Sequence, residues 1–268
     1  DGRTRIRRFG GRMPRLDMAK VFVHGNPETA AIWRALTTAL ARRGVDDIVA
    51  LSPPGFGAPR PPAWPATQVA YRDWLIAELE ELGGSVDLVG HDWGAGHTYG
   101  VLAERPDLLR SWAADCAGLV HATYVWHDMA QLWQMPGAGE EAVQGMIGGE
   151  LPDRIDLLQG LGMPRDVAAD VAAEQNEVMA ACILDLYRAA AQPAMADLGR
   201  RLATTPQRPG LVIIPTADPY AGAPATAAEV AAALGAETFV LEELGHWWMF
   251  DGADATADAL VRHWERAG

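Results

Sequence analysis

Short apolar segments alternate with segments of helical periodicity over most of the chain. The pattern predicts strands at 21–23, 47–51, 86–89, 109–114, 210–215 and 237–241. It predicts helices at 30–43, 69–82, 95–105, 225–234 and 253–265. Strands that alternate with helices form a mostly parallel sheet covered on both faces. We therefore predict an α/β fold that binds its ligand at the carboxyl ends of the strands.

One long stretch interrupts this alternation. Residues 118–205 have helical character, contain no clear strand pattern and are rich in methionine and tryptophan. We interpret them as a helical cap inserted into a main domain that comprises residues 1–117 and 206–268. Methionine and aromatic side chains in a lid suit an apolar ligand of variable shape. The alternative is that each of these side chains simply packs the helices onto the core.

The turn after the strand at 86–89 has the pattern of a nucleophile elbow. Residues Gly90–Gly94 read Gly-His-Asp-Trp-Gly, and a predicted helix follows at once. Such a turn is sharp and strained, so it needs small residues on both sides of the side chain that it lifts clear of the sheet. The sequence therefore predicts that Asp92 is a nucleophile at the edge of the sheet.

An aspartate at the centre of this turn determines the chemistry. The chain has only three serines, Ser52, Ser85 and Ser111, and none lies in such a turn, which excludes a serine esterase. A carboxylate is ionised near neutral pH without help, since its ordinary pKa is about 3.9. It can displace a leaving group from a saturated carbon and become an alkyl ester. A histidine is then needed to activate the water that hydrolyses this ester.

A histidine and an acid are expected to follow the nucleophile in the chain. His246 comes just after the last predicted strand, where the base belongs. Asp218 follows the strand at 210–215 and is the favoured acid, while Asp115, at the end of the strand at 109–114, is the alternative. The acid would hold the imidazole in one tautomer. Four rival histidines are less suitably placed, on helices or in the predicted cap: His97, His263, His121 and His127.

The peptide after the first buried strand supplies hydrogen-bond donors. Residues 24–27 read His-Gly-Asn-Pro. We expect the backbone N–H groups of Asn26 and Trp93 to bind the oxyanion that forms when water attacks the ester. The side chains of both residues are also N–H donors that could face the leaving group. His91, beside the nucleophile, is expected to point into the packing of the elbow.

Composition excludes several classes of function. The chain has 268 residues and a formal net charge of −13, which argues against non-specific binding of nucleic acid. It contains no apolar run long enough to span a membrane. The two cysteines have no metal-ligand spacing, so we expect two buried, reduced thiols. Because no signal-peptide pattern opens the sequence, we expect a cytoplasmic protein.

Arginine is concentrated at the start of the chain, where it supplies six of the first fifteen residues. We expect an exposed edge strand at 4–9, where charged side chains discourage pairing with other chains. A basic arm that binds an anionic partner is the alternative.

Together these motifs resemble the α/β-hydrolase superfamily, in particular its branch of epoxide hydrolases and haloalkane dehalogenases. The resemblance rests on residues 24–27, 53–57 and 90–94 and on Asp218 and His246. It implies an α/β-hydrolase fold with an inserted helical cap, and the cap matches only in position and helical character. The N-terminus departs from the family, because these hydrolases usually have room for two strands before the strand that begins here at Val21.

The sequence combines signatures of both enzymes. Residues 90–94 resemble the elbow of epoxide hydrolases, whereas Asn26 with Trp93 resembles the halide-binding pair of many dehalogenases. In epoxide hydrolases, tyrosines of the cap protonate the oxygen of the opening ring. Tyr187 resembles one of them, and Tyr124 matches by region only. A tyrosine–arginine pair also occurs at the position of Tyr187 in dehalogenases, so this residue discriminates weakly.

The resemblance favours hydrolysis of an epoxide to a vicinal diol through an ester on Asp92. Alternatives are a haloalkane dehalogenase, a related hydrolase or cyclase of secondary metabolism, and a ligand-binding protein without catalysis. The expected partner is a small apolar organic substrate, with neither nucleic acid nor a membrane involved. No metal or organic cofactor is implied, because the chain itself supplies nucleophile, base and donors. The identity of the substrate and the oligomeric state stay open.

Overall fold

A computed structural model describes residues 5–7 and 19–268, and its centre is a seven-stranded parallel sheet. The strands are β1 (Arg5–Arg7), β2 (Lys20–Val23), β3 (Ile48–Leu51), β4 (Val86–Gly90), β5 (Leu109–Ala114), β6 (Gly210–Pro215) and β7 (Glu237–Leu241). Their order across the sheet is β1-β3-β2-β4-β5-β6-β7, and all neighbours in it are parallel. The predicted α/β class is therefore confirmed.

The direction of the strand order changes between β2 and β4. From β2 the chain crosses to β3 on one side, and it then returns to β4 on the other side. The two strands are in register, with Val23 beside Gly90 at their carboxyl ends. A crevice opens at such a switch point, and ligands of open α/β sheets bind there. The peptide that contains Asn26 and the elbow that contains Asp92 both leave the sheet at this crevice.

Helices cover both faces of the sheet. Val21 and Val23 share an apolar cluster with residues of α2 (Gln68–Leu82) and α3 (Trp93–Glu104). Phe22, which lies between them, belongs instead to a cluster with residues of α1 (Arg34–Ala41) and α12 (Ala253–Ala267). Successive side chains of a strand point to opposite faces, so the two clusters form the two core layers.

The chain between β5 and β6 is helical and contains no strand. Its helices are α4 (Asp128–Gln134), α5 (Ala138–Ile147), α6 (Leu151–Gly160), α7 (Arg165–Glu174), α8 (Glu177–Ala189) and α9 (Ala194–Leu202). Three further helices follow it: α10 (Pro224–Ala233), α11 (Trp248–Asp251) and α12. The division of the chain into a main domain and a cap at 118–205 stays a prediction.

The structure differs from the predicted elements mainly at their ends. The helix expected at 30–43 begins as a 3-10 turn (Ala30–Trp33) before α1, with the Thr29 side chain accepting a hydrogen bond from the N–H of Ala31. The edge strand expected at 4–9 is described at Arg5–Arg7, where it pairs with β3. The other arginines of the first fifteen residues lie outside the described residues. None of the helices described is both long and apolar enough to cross a membrane.

Candidate active site

Asp92 sits at a strained turn between β4 and α3. Its backbone has φ 52° and ψ −121°, outside the regions that most residues adopt. A Cβ atom at Gly94 would lie 2.0 Å from the carbonyl oxygen of Val23, and one at Gly90 would lie 2.5 Å from the carbonyl oxygen of Gly94. Only glycine fits at these two positions, which explains why the sequence builds the turn from small residues.

The Asp92 carboxylate is nearly buried, with 9% of the residue exposed. Its Oδ2 accepts a hydrogen bond of 2.9 Å from the backbone N–H of Asn26. Burial raises the pKa of Asp92 to about 6, although the charge of His246 opposes the shift. The residue lines a cavity together with His246. The carboxylate is therefore held at the cavity wall and is mostly ionised at neutral pH.

His246 and Asp218 form a hydrogen-bonded pair. Nδ1 of His246 lies 2.9 Å from Oδ2 of Asp218, and both side chains are almost completely buried. The other oxygen of Asp218 accepts the backbone N–H groups of Tyr220 and Ala221, at 2.8 and 3.4 Å. Burial lowers the pKa of His246, but the Asp218 carboxylate outweighs burial, so the net pKa is raised. The neutral imidazole donates from Nδ1, which leaves Nε2 as a base.

Asp115, the alternative acid, contacts other groups. One of its oxygens accepts the backbone N–H of Asp92 at 3.0 Å. The other lies 2.5 Å from Nδ1 of His91 and accepts the indole N–H of Trp248 at 2.6 Å. The expectation that Asp115 could orient His246 is wrong, because both of its oxygens are engaged beneath the elbow.

Glu28 is an important residue that the sequence analysis missed. It is fully buried, with Oε1 3.1 Å from Nε2 of His91 and 2.5 Å from the indole nitrogen of Trp247, and Oε2 accepts the backbone N–H of Gly25. Burial lowers the pKa of His91, but Asp115 and Glu28 outweigh it and raise the pKa well above its ordinary value. His91 is thus an imidazolium between two carboxylates, packed inside the elbow as expected. The sequence feature that could have identified Glu28 is its position, because it is an acidic residue directly after the loop at the switch point of the sheet.

Asn26 and Trp93 lie together at the base of the cavity. Trp93 is 2% exposed, and its ring stacks on that of Trp126 with centroids 5.8 Å apart. Both amide atoms of the Asn26 side chain are buried, and the hydroxyl of Tyr187 lies beside this side chain. A buried amide is costly unless its hydrogen-bonding atoms are satisfied, so a group bound in the cavity is a suitable further partner for it.

The two candidate tyrosines have different surroundings. The Tyr187 ring lines the cavity, and its hydroxyl faces the side chains of Trp93 and Asn26. Burial raises the pKa of Tyr187 well above its usual value, which keeps the phenol protonated. Tyr124 donates its hydroxyl proton to the backbone carbonyl of Tyr220 at 2.7 Å. The structure therefore places Tyr187 and Asp92 on the wall of one cavity, while the hydroxyl of Tyr124 is engaged with a backbone carbonyl.

The cavity has a volume of about 340 Å³. Its polar lining consists of Asn26, Asp92, His127, Tyr187, Tyr220 and His246. Its larger apolar lining residues are Met129, Trp133, Met146, Leu157, Leu161 and Trp247. No arginine, lysine or glutamate of the described part of the chain lines it. A cavity of this size and composition suits a small uncharged organic molecule.

Two clusters of possible metal ligands adjoin the site. Glu28, His91 and His246 form one, and Cys116, Asp218 and His246 form the other, with the potential ligand atoms of each cluster within 4.8 Å of one another. In both clusters the carboxylate already binds a histidine: Glu28 contacts His91, and Asp218 contacts His246. Hydrogen bonding alone therefore accounts for the proximity of these residues.

Comparison with known proteins identifies the family of the chain. A sequence profile described as the alpha/beta hydrolase family matches residues 21–259. The chain belongs to the alpha/beta hydrolase family. The chain is 36% identical over 96 residues to an epoxide hydrolase of Caballeronia sordidicola, a match that covers 35% of this chain and 29% of that protein. It is 33% identical over 102 residues to a haloalkane dehalogenase of Bradyrhizobium diazoefficiens, covering 35% and 30% of the two chains.

Solved structures extend the likeness to the whole fold. A loop variant of a haloalkane dehalogenase from Bradyrhizobium elkanii superposes with a TM-score of 0.70 at 22% identity, covering 94% of the present chain and 91% of that one. An epoxide hydrolase superposes with a TM-score of 0.72 at 15% identity, covering 94% and 93%. At these identities the likeness is one of fold. The sequence matches span less than a third of each curated relative, and both relatives come from the predicted branch, which is thus confirmed.

Proposed function

We propose that this hydrolase opens epoxides with Asp92 as the nucleophile. An oxygen of the Asp92 carboxylate attacks one carbon of the ring, and the bond from that carbon to the ring oxygen breaks with its electron pair leaving on oxygen. Tyr187 transfers its hydroxyl proton to this oxygen. The product of the step is a hydroxyalkyl ester of Asp92 and a tyrosinate, which is reprotonated from water.

The second step hydrolyses the ester. Nε2 of His246 accepts a proton from water while the water oxygen attacks the ester carbonyl carbon. The backbone N–H groups of Asn26 and Trp93 stabilise the oxyanion that results. Collapse of this intermediate expels the alkoxide, which takes the proton held by His246 and becomes the second hydroxyl of the diol. Asp92 then holds the other proton of the attacking water, and its loss to solvent restores the carboxylate and balances the hydroxide left when the tyrosinate is reprotonated. The contact between Asn26 N–H and Asp92 Oδ2 at 2.9 Å supports this assignment of the donor.

The observation that carries the proposal is the phenol of Tyr187 in the same cavity as the Asp92 carboxylate. An alkoxide is a strongly basic leaving group and needs a proton, whereas a halide needs only hydrogen-bond donors. A protonated phenol beside the nucleophile therefore favours ring opening of an epoxide. The apolar lining of the cavity favours a small uncharged substrate.

Haloalkane dehalogenation is the second candidate. It is supported by the side chains of Asn26 and Trp93, which both lie beside the Tyr187 hydroxyl, since two N–H donors at this place suit a departing halide. The nucleophile and the base would act as in the epoxide reaction, and only the leaving group would differ.

A substrate panel tests the proposal. Aryl and alkyl epoxides, bromo- and chloroalkanes and an activated ester are incubated with the full chain and with Asp92→Ala, while diol and halide are measured in parallel. We expect diol from epoxides and no product with Asp92→Ala. Halide release without diol would favour the dehalogenase instead. Tight binding without turnover of any compound would overturn both and favour a ligand-binding protein.

A further inference from the structure

His127 offers a second hydrogen-bond donor to the cavity. The residue is the N-cap of α4, and its Nδ1 accepts the backbone N–H of Ala130 at 3.3 Å. Burial lowers the pKa of His127 to about 4, so the ring is neutral at pH 7. A neutral imidazole that accepts at Nδ1 carries its proton on Nε2. The capping contact therefore fixes the tautomer and leaves Nε2–H as a donor, to which no described residue offers an acceptor.

The ring of His127 stands among the groups of the site. It lines the cavity with Asp92, and its centroid lies 6.5 Å from that of Tyr187 and 5.0 Å from that of Tyr220. The Tyr220 ring in turn lies 5.0 Å from that of His246. Between β5 and β6, the chain contributes the imidazole of His127 and the phenol of Tyr187 to the lining of this cavity. Tyr124 could donate a hydrogen bond to a molecule in the cavity only by breaking the hydrogen bond from its hydroxyl to the Tyr220 carbonyl.

We propose that His127 donates a hydrogen bond from Nε2–H to the oxygen of the opening epoxide, as the partner of Tyr187. This inference rests on the proposed epoxide chemistry. The bond from Asp92 to carbon forms, the carbon–oxygen bond of the ring breaks, and the proton that the oxygen receives comes from Tyr187. His127 keeps its proton and stabilises the developing negative charge, as a neutral imidazole can in a buried site.

Two substitutions separate the donor from the helix cap. His127→Asn keeps an acceptor for the N–H of Ala130 but removes the donor at the position of Nε2. His127→Gln places an amide N–H near the position of Nε2 but is a poorer cap. Each is combined with His246→Gln, which allows the ester to form but not to hydrolyse. The rate of ester formation is then measured by intact mass in a single turnover with an epoxide that the wild-type chain converts.

We expect His127→Asn to slow ester formation about a hundredfold and His127→Gln to retain most of the rate. Addition of Tyr187→Phe tests whether the two donors act on one oxygen, because the effects of contacting groups are not additive. A residue that only caps α4 would show the opposite order of the two variants and additive effects with Tyr187→Phe, which would overturn the inference. Equal rates of ester formation in all His127 variants would also overturn the inference. Failure of the His246→Gln parent to form any ester would contradict the proposed function instead.

Discussion

Nδ1 of His246 lies 2.9 Å from Oδ2 of Asp218, and this contact determines which ring nitrogen can act as a base. The second oxygen of Asp218 is bound to the N–H groups of Tyr220 and Ala221, so the carboxylate cannot turn away. The proton of the neutral ring is therefore held on Nδ1, and Nε2 is available to water. Asp115, although it follows the neighbouring strand, makes its contacts with His91 instead.

Asp218→Asn is expected to impair hydrolysis of the ester more than its formation. An amide in place of the carboxylate favours the wrong tautomer of His246 and no longer stabilises the imidazolium, which we expect to slow ester hydrolysis by roughly 10³–10⁴-fold. Rapid-quench mass spectrometry with an epoxide checks this, because the ester on Asp92 should accumulate. Turnover at the wild-type rate would remove Asp218 from the mechanism.

Asp115→Asn is the matched control. It takes one of the two carboxylates away from the buried His91 imidazolium, and breaking a buried ion pair costs about 3–5 kcal/mol. We expect the free energy of unfolding, measured by urea denaturation, to fall by that amount. If this variant were as stable as the wild type but hydrolysed the ester slowly, Asp115 rather than Asp218 would be the acid that orients His246.

Asp92→Asn is expected to stabilise the fold at pH 8. Burial raises the pKa of Asp92 to about 6 from its ordinary value of 3.8, so the ionised form is the one that the fold disfavours. The free-energy cost of burying the ionised carboxylate is fully present above pH 6 and absent below the pKa of the unfolded chain. A pKa raised by about two corresponds to a cost of about 3 kcal/mol. We expect a gain of about 1–3 kcal/mol at pH 8 that disappears near pH 4. A variant less stable than the wild type at pH 8 would contradict the burial argument.

The rate of ester formation should fall in acid. Only the carboxylate form of Asp92 is a nucleophile, so kcat/KM for an epoxide is expected to drop about tenfold for each pH unit below about 6. A stopped-flow or product assay between pH 4.5 and 8 measures the midpoint. If kcat/KM stayed constant down to pH 4.5, the pKa of the nucleophile would not be raised by burial.

Tyr187→Phe and Tyr124→Phe separate an acid from a structural hydroxyl. The loss of a general acid costs about 10²–10⁴-fold in rate, so Tyr187→Phe should slow the opening of epoxides while its fold stays intact. Tyr124→Phe removes the bond to the Tyr220 carbonyl and should cost about 1 kcal/mol of stability, with little change in rate. The comparison uses the same epoxide and a thermal melt for each variant. Equal rate losses in the two variants would assign both phenols to the reaction.

Much of the fold was predictable because strands and helices have local signatures. The bounds of β5, β6 and β7 match the prediction to the residue. The order of the strands was not predictable, because it depends on which apolar faces pack together after the chain crosses the sheet. The elbow at Asp92 was predictable because its glycines are visible in the sequence. A Cβ atom at Gly94 or Gly90 would lie only 2.0–2.5 Å from a backbone carbonyl oxygen, so the turn requires glycine at both positions.

The rest of the site depends on contacts between residues distant in the sequence. In the sequence Glu28 resembles an ordinary turn residue. Its role depends on hydrogen bonds to Trp247 and His91, which only the folded chain brings together. The hydroxyl of Tyr124 is engaged because the backbone carbonyl of Tyr220 lies beside it, and no sequence pattern predicts that contact. For the same reason His127 was considered only as a rival base, although its Nδ1 is used by the N–H of Ala130.

The central claim is that Asp92 becomes covalently attached to the substrate. The most direct measurement is the mass of the intact His246→Gln chain after incubation with an epoxide that the wild type converts, followed by mapping of the modified peptide. We predict a gain equal to the mass of the whole epoxide, located on Asp92 and absent when Asp92→Asn is added. An unmodified chain, or an adduct on any other residue, would contradict the account.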